Sequence, residues 1–311
     1  MASVRTHLLN RVLKTSVKKR LETADINARE LARSRKRLHR LGQTAAKLRA
    51  ARVNFTTDTL DGVGVIWCEP KSAPGRPRPT LLHFHGGDYL VGSAAAYRGL
   101  GANLALAADV KVALIDYRLA PEAPFLAAVE DALSAYKRLL ELGHHPQEMA
   151  ISGDSAGGNL ALVTLLNIVA NELPQVAGAI LMSPWADLTG NSASIAENAR
   201  AEAMLPSGRL AEAAAMYAGN QALEDWLVSP VFGDFRGLPP LLTHVGTTEI
   251  LRDDARLVHA KARAATVPSE LKEWPGVPHV FQAFADLIPE GAAALEEIAT
   301  WLNKRWKNAQ I

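Results

Sequence analysis

With 311 residues, 48% of them hydrophobic and 21% charged, the chain has the composition of an ordinary globular protein and the length for one large α/β domain with decorations. Its single cysteine, Cys68, excludes an internal disulfide and a cysteine-built zinc site, no apolar run reaches the length of a membrane span, and residues 1–7 lack a secretory apolar core, so a cytoplasmic location is expected. The net charge of +2 hides an asymmetry: residues 1–52 carry 15 Lys/Arg against 3 Asp/Glu, a net of +12, which leaves −10 on residues 53–311.

In the basic arm, Leu9, Val12, Leu13, Val17, Leu31, Leu38, Leu41 and Leu48 recur at helical intervals, which predicts two or three amphipathic helices. Few aromatics accompany them to anchor in lipid or stack on bases. The favoured reading is therefore helices lying on the acidic body and covering a site, with no nucleic-acid partner and no integral membrane segment. A hairpin is predicted over 53–70 and a Pro/Gly/basic loop over 71–79. The apolar strand 80–84 then runs straight into His85-Gly86-Gly87-Asp88-Tyr89. Two glycines after a buried strand permit either a tight turn or a backbone that aims its N–H groups into a cavity. A helix over 99–108, a strand over 110–115 and a proline-punctuated loop over 116–125 follow; its Asp116, Arg118 and Glu122 read as a structural charge network ahead of the helix 127–142. Apolar strands at 149–152, 179–183, 241–245 and 270–274 alternate with helices at 159–170, 252–264 and 291–306. That alternation is the signature of a doubly wound, mostly parallel sheet. The Ala/Glu-rich stretch 187–227 breaks the rhythm and reads as a long helical insertion over the site.

The chemistry concentrates in Gly153-Asp154-Ser155-Ala156-Gly157-Gly158, between an apolar strand and an apolar helix. A strand that turns into a helix within a few residues needs small neighbours on both sides, and Gly153 and Gly157 flank Ser155 at the spacing of a nucleophile elbow. An acyl-transfer serine needs a histidine to take its proton and a carboxylate to fix the histidine tautomer. In chain order these are Glu249, at a strand end, and His279, after a late strand, with Asp253 and Asp254 as alternative acids.

Together, the basic helical N-terminus, His85-Gly86-Gly87, the 116–124 run, the Gly153–Gly158 motif, Leu251-Arg252-Asp253-Asp254 and Pro278-His279 resemble the hormone-sensitive-lipase family of bacterial α/β-hydrolase esterases, over nearly the whole chain. The resemblance implies an α/β-hydrolase core at 53–185 and 227–311 with a helical cap made of residues 1–52 and 186–226. It implies a serine carboxylesterase acting on short- to medium-chain acyl esters without metal or cofactor, with a possible homodimer. Ser155 would be the nucleophile, His279 the general base and then acid, and Glu249 the third member. The backbone N–H groups of Gly86, Gly87, Asp88 and Ala156 would form the oxyanion hole. Three departures from the family pattern stand out: Asp88 stands where a third glycine is usual, Glu249-Ile250 where Asp-Pro is usual, and Ala123 and Leu126 where His and Pro are more frequent. These departures also admit a divergent or engineered hydrolase with altered activity. A ligand-binding, receptor-like module on the same fold is a further alternative, disfavoured by the retention of His279.

Overall fold

The computed structural model describes residues 2–72 and 77–308, so part of the predicted 71–79 loop lies outside the described residues. The N-terminal arm forms a nearly continuous helix, α1 (Val4–Leu13) and α2 (Lys19–Thr23) joined by a π-helical turn over Lys14–Lys18, followed by the long α3 (Ala28–Arg49). The hairpin β1 (Val53–Leu60) and β2 (Val63–Pro70) leads into β3 (Thr80–Phe84), α4 (Arg98–Ala108), β4 (Lys111–Asp116), α5 (Ala127–Glu141), β5 (Met149–Asp154), α6 (Ala156–Ala170) and β6 (Gly178–Met182). Two short helices, α7 (Ser194–Glu197) and α8 (Ser207–Ala218), precede β7 (Leu241–Gly246), α9 (Arg252–Ala264), β8 (Ser269–Trp274) and α10 (Pro289–Asn308).

The eight strands form one sheet in the order β1-β2-β4-β3-β5-β6-β7-β8, antiparallel through β1, β2 and β4 and parallel from β4 onward. Helices cover both faces of its parallel part, so β3, β5, β6 and β7 are buried at every position. That is why they read as apolar runs rather than alternating ones. The chain order reverses at β3, with β4 on one side and β5 on the other, and ligands of such sheets bind beside the carboxyl ends of strands at this point. The glycine loop leaves β3 there and the turn at Ser155 leaves β5.

The 187–227 stretch is less helical than the expected helical insertion. Only α7 and α8 are helical, because Gly190, Pro206 and Gly219 interrupt the Ala/Glu pattern and polar side chains take over the backbone. The Asp254 carboxylate accepts the N–H groups of Ala186 and Asp187, and Ser229 Oγ accepts that of Leu188. The N-terminal arm lies against this stretch through Lys18 Nζ, which donates to the carbonyls of Ala199 at 2.6 Å and Glu202 at 3.2 Å. Arg35 joins it to the 116–125 loop with a bidentate pair to Glu122 and a bond to the Ala120 carbonyl. Asp116 accepts the Ala94 N–H and Arg118 pairs with Asp131 at 2.8 Å, so these side chains fix the loop through separate partners rather than through one shared network. Among the described residues no helix is long and apolar enough to cross a membrane.

Candidate active site

Ser155 follows β5 with φ 54° and ψ −122°, a conformation costly for a residue with a Cβ, of order 1–3 kcal/mol. The turn is tight enough that a Cβ on Gly153 would lie 2.0 Å from the Gly157 carbonyl oxygen, and one on Gly157 equally close to that of Phe84. Both glycines are thus dictated by the close approach of strand and helix. The bend is held by the Ser155 N–H donating to Met182 O at 2.9 Å, while the Ser155 carbonyl accepts from Gly158, Asn159 and Trp185. Its Oγ makes no hydrogen bond among the described residues.

Glu249 and His279 come from the loops after β7 and β8. Glu249 Oε2 meets His279 Nδ1 at 2.7 Å. Its other oxygen, Oε1, accepts Ser183 Oγ–H at 2.8 Å and the Gly246 N–H, so both carboxylate oxygens are satisfied in a fully buried setting. Ser183 Oγ in turn accepts the Val280 N–H at 3.2 Å, which ties the residue after His279 to the end of β6, one residue beyond the carbonyl that holds Ser155. The loops that carry Glu249, His279 and Ser155 are therefore laced together through β6. Asp253 and Asp254 are spent elsewhere, Asp253 on the Ser194 N–H and Asp254 on the 186–192 turn. Neither faces His279.

Electrostatics favour a charged imidazole. Burial works against the His279 cation, but the hydrogen bond and charge of Glu249, aided by Glu202 and Asp154, outweigh it and raise the His279 pKa above the ordinary imidazole value. Burial pushes the Glu249 pKa up, and the imidazole opposite pulls it back. Glu202, buried in the 187–227 stretch, accepts the N–H groups of Met204 and Leu205 and reaches across to that of Ile250, next to Glu249. Asn198 Nδ2 donates to the Glu249 carbonyl at 2.8 Å.

The glycine loop rests against this centre: a Cβ on Gly86 would stand 3.1 Å from Ser155 Cβ and clash with Asp154. Of the four N–H groups expected to face an oxyanion, that of Gly86 is committed elsewhere, a correction to the expectation. It donates at 3.1 Å to Tyr97 Oη, which fills the space beneath the loop and itself donates to Asp154 Oδ2 at 2.8 Å. The chain reverses at Gly87, φ 121°, and the N–H groups of Gly87, Asp88 and Ala156 donate to no acceptor among the described residues. The loop is propped by Tyr117 Oη donating to the His85 carbonyl at 2.6 Å, with the His85 and Tyr117 rings stacked 4.3 Å apart. Asp88 sits at φ 59° with its carboxyl oxygen 4.0 Å from Arg209 Nε on α8.

Ser183, Tyr97, Asn198, Glu202 and Arg209 escaped the sequence reading. A polar residue ending the apolar run 178–182 was the one hint of Ser183; the others stand at positions that no spacing marks. Among the described residues no group of three His, Cys, Asp or Glu side chains is arranged to hold a metal ion.

The sheet order, the covered faces and the strand-turn-helix at Ser155 define an α/β hydrolase, and residues 81–283 match the α/β-hydrolase-fold family. The chain is 40% identical to an acetyl-hydrolase of Streptomyces hygroscopicus over 76% of its own length and 78% of that protein's. It is 38% identical to an esterase of Acinetobacter venetianus over 70% of this chain and 73% of that one. Among solved structures, EstE5 soaked with p-nitrophenyl butyrate superposes with a TM-score of 0.90 at 35% identity, covering 98% of this chain and 100% of that one. EstE7, a hormone-sensitive-lipase homologue from a metagenome library, does so with a TM-score of 0.88 at 33% identity and the same coverage. The chain belongs to the hormone-sensitive-lipase family of α/β-hydrolase-fold carboxylic ester hydrolases.

Proposed function

We propose that the protein is a serine carboxylesterase that hydrolyses short- to medium-chain acyl esters through a Ser155-His279-Glu249 triad and an acyl-enzyme. The observation that carries this reading is the 2.7 Å contact of Glu249 with His279 Nδ1, laced by Ser183 to the strand that holds the strained Ser155 turn. Glu249 keeps the proton on Nδ1, so Nε2 is free to take the Ser155 proton as Oγ attacks the ester carbonyl. Negative charge then grows on the carbonyl oxygen, where the N–H groups of Gly87, Asp88 and Ala156 are free to stabilise it without reorganising. The imidazolium, favoured by the carboxylates around it, gives its proton to the departing alcohol. Water, deprotonated by the same imidazole, releases the acid and restores Ser155. Residues 1–52 and 186–226 act as the two-part cap. The stacking of Tyr217 on Tyr89 at 3.7 Å seats α8 on the glycine loop, which supports a covered pocket suited to short acyl chains.

A panel of p-nitrophenyl esters from acetate to palmitate, run on the wild type and on Ser155→Ala, tests this. The wild type should turn over the short members, and Ser155→Ala and His279→Ala should each lose about 10⁴-fold or more, with the double variant hardly worse. Wild-type-like turnover by either single variant would overturn the triad.

A further inference from the structure

The cap carries a buried cation whose donors are largely unspent. Arg209, on the inner side of α8, has a side chain only 10% exposed and lines a cavity of about 600 Å³ between residues 18–25 and 199–212. Its Nε is buried without a hydrogen-bond partner, and its one bond is a long 3.4 Å contact from Nη1 to the Ala24 carbonyl. The nearest carboxylate, Asp88 Oδ2, stands 4.0 Å from Nε, near enough to neutralise the charge and too far to accept a hydrogen bond. Asp88 likewise accepts no hydrogen bond among the described residues. Unmade hydrogen bonds of buried polar groups are unfavourable, so this wall favours any occupant that supplies oxygen atoms.

The wall is tied to the chemistry by Asp88, which follows Gly87 in the glycine loop and whose backbone N–H is one of the three free donors there. An ester whose carbonyl oxygen meets that N–H would have the Asp88 side chain, with Arg209 behind it at 4.0 Å, as its nearest polar wall. The charge of the occupant is constrained as well. The Arg209–Asp88 pair is neutral overall, so an anionic group would gain from Arg209 and lose to Asp88, whereas a neutral oxygen gains from the guanidinium alone. The cavity beyond is edged by Lys18, Glu22, Asp25 and Arg200, a mixed-charge surface with little to offer an alkyl chain.

We propose that Arg209 and Asp88 form a polar subsite that selects esters bearing a neutral hydroxyl or ether oxygen close to the scissile bond. This rests on the esterase reading above. Arg209 donates to the substituent oxygen, and Asp88 holds the guanidinium in place and accepts the proton of a hydroxyl. The oxygen can belong to the acid or to the alcohol, and matched substrates separate the two.

The experiment compares kcat/KM for two isosteric pairs: p-nitrophenyl 3-methoxypropanoate against p-nitrophenyl pentanoate, and 2-hydroxyethyl butyrate against propyl butyrate. In the wild type the oxygen-bearing member of at least one pair should be favoured by about tenfold, the scale of a satisfied hydrogen bond to a charged donor. Arg209→Met should collapse that ratio, and Arg209→Lys, which keeps the charge and loses the fork, should retain part of it. The pair that responds shows which side of the ester carries the oxygen. A wild type that favours the alkyl member of both pairs overturns the subsite, as does a ratio that Arg209→Met and Arg209→Lys leave unchanged. Equal turnover of both members would remove the subsite alone, whereas no turnover of any of the four esters would remove the esterase reading itself.

Discussion

Replacing Glu249 by Gln exchanges one oxygen for an amide nitrogen, and the surroundings decide which way that amide turns. Oε1 receives two donors, Ser183 Oγ–H and the Gly246 N–H, whereas Oε2 faces only His279 Nδ1. An amide has a single acceptor oxygen. Two donors demand it on the Ser183 side, so the NH2 group must point at Nδ1 and the imidazole must accept there. The ring proton then moves to Nε2, and a protonated Nε2 cannot take the proton of Ser155. Wrong-tautomer substitutions of this kind lower kcat by about 10⁴, which at 1.36 kcal/mol per tenfold corresponds to roughly 5.5 kcal/mol of transition-state stabilisation. Steady-state hydrolysis of p-nitrophenyl butyrate, with a thermal melt to confirm an unchanged fold, measures the effect. A loss under about tenfold would refute the reasoning, as would a larger loss in Asp253→Asn or Asp254→Asn than in Glu249→Gln.

Because His279 must be neutral to act and its pKa is raised, the acid limb of kcat/KM should lie above the ordinary imidazole value of about 6.5, and Glu202→Gln, which removes one of the carboxylates that raise it, should move the limb to lower pH; a limb below 6.5 in the wild type would contradict the electrostatics. Butyrate and hexanoate esters should outrun palmitate, with no activation at an oil–water interface; a preference for long-chain emulsions would contradict the closed cap. His244, buried in β7, has its pKa lowered to about 3, chiefly by burial and secondarily by the Lys272 charge. Its folded state thus stays neutral where the unfolded chain binds a proton, so its contribution is present above pH ~6.5 and is lost as pH falls from there toward 3. Between pH 7.5 and 5 this amounts to about 2 kcal/mol at 1.36 kcal/mol per unit, which urea unfolding should detect in the wild type and find missing in His244→Asn.

The sheet and its order of strands and helices were legible because burial on both faces demands continuous apolar runs, and β3, β5, β6 and β7 supply them. The Ser155 turn was legible for a related reason: strand and helix approach so closely that only glycine fits at 153 and 157. The 187–227 stretch reads as a long helical insertion but holds only the two short helices α7 and α8, since composition says what can be helical and not which side chains will capture the backbone first; there, Asp254 and Ser229 reach in from distant parts of the chain. Gly86 was assigned an oxyanion donor because nothing in sequence places Tyr97, eleven residues on, beneath its N–H. Ser183 and Glu202 act on Glu249 and its neighbour from 66 and 48 residues away, contacts that only the folded chain creates.

Covalent labelling offers the sharpest test of the nucleophile. The protein is treated with a serine-directed organophosphonate, digested and mapped by mass spectrometry while residual hydrolysis of p-nitrophenyl butyrate is followed. One label should appear on the peptide containing Ser155, activity should fall in proportion to it, and His279→Ala should slow the reaction by orders of magnitude. Labelling of any other residue in step with inactivation, or full activity in protein labelled at Ser155, would contradict the assignment.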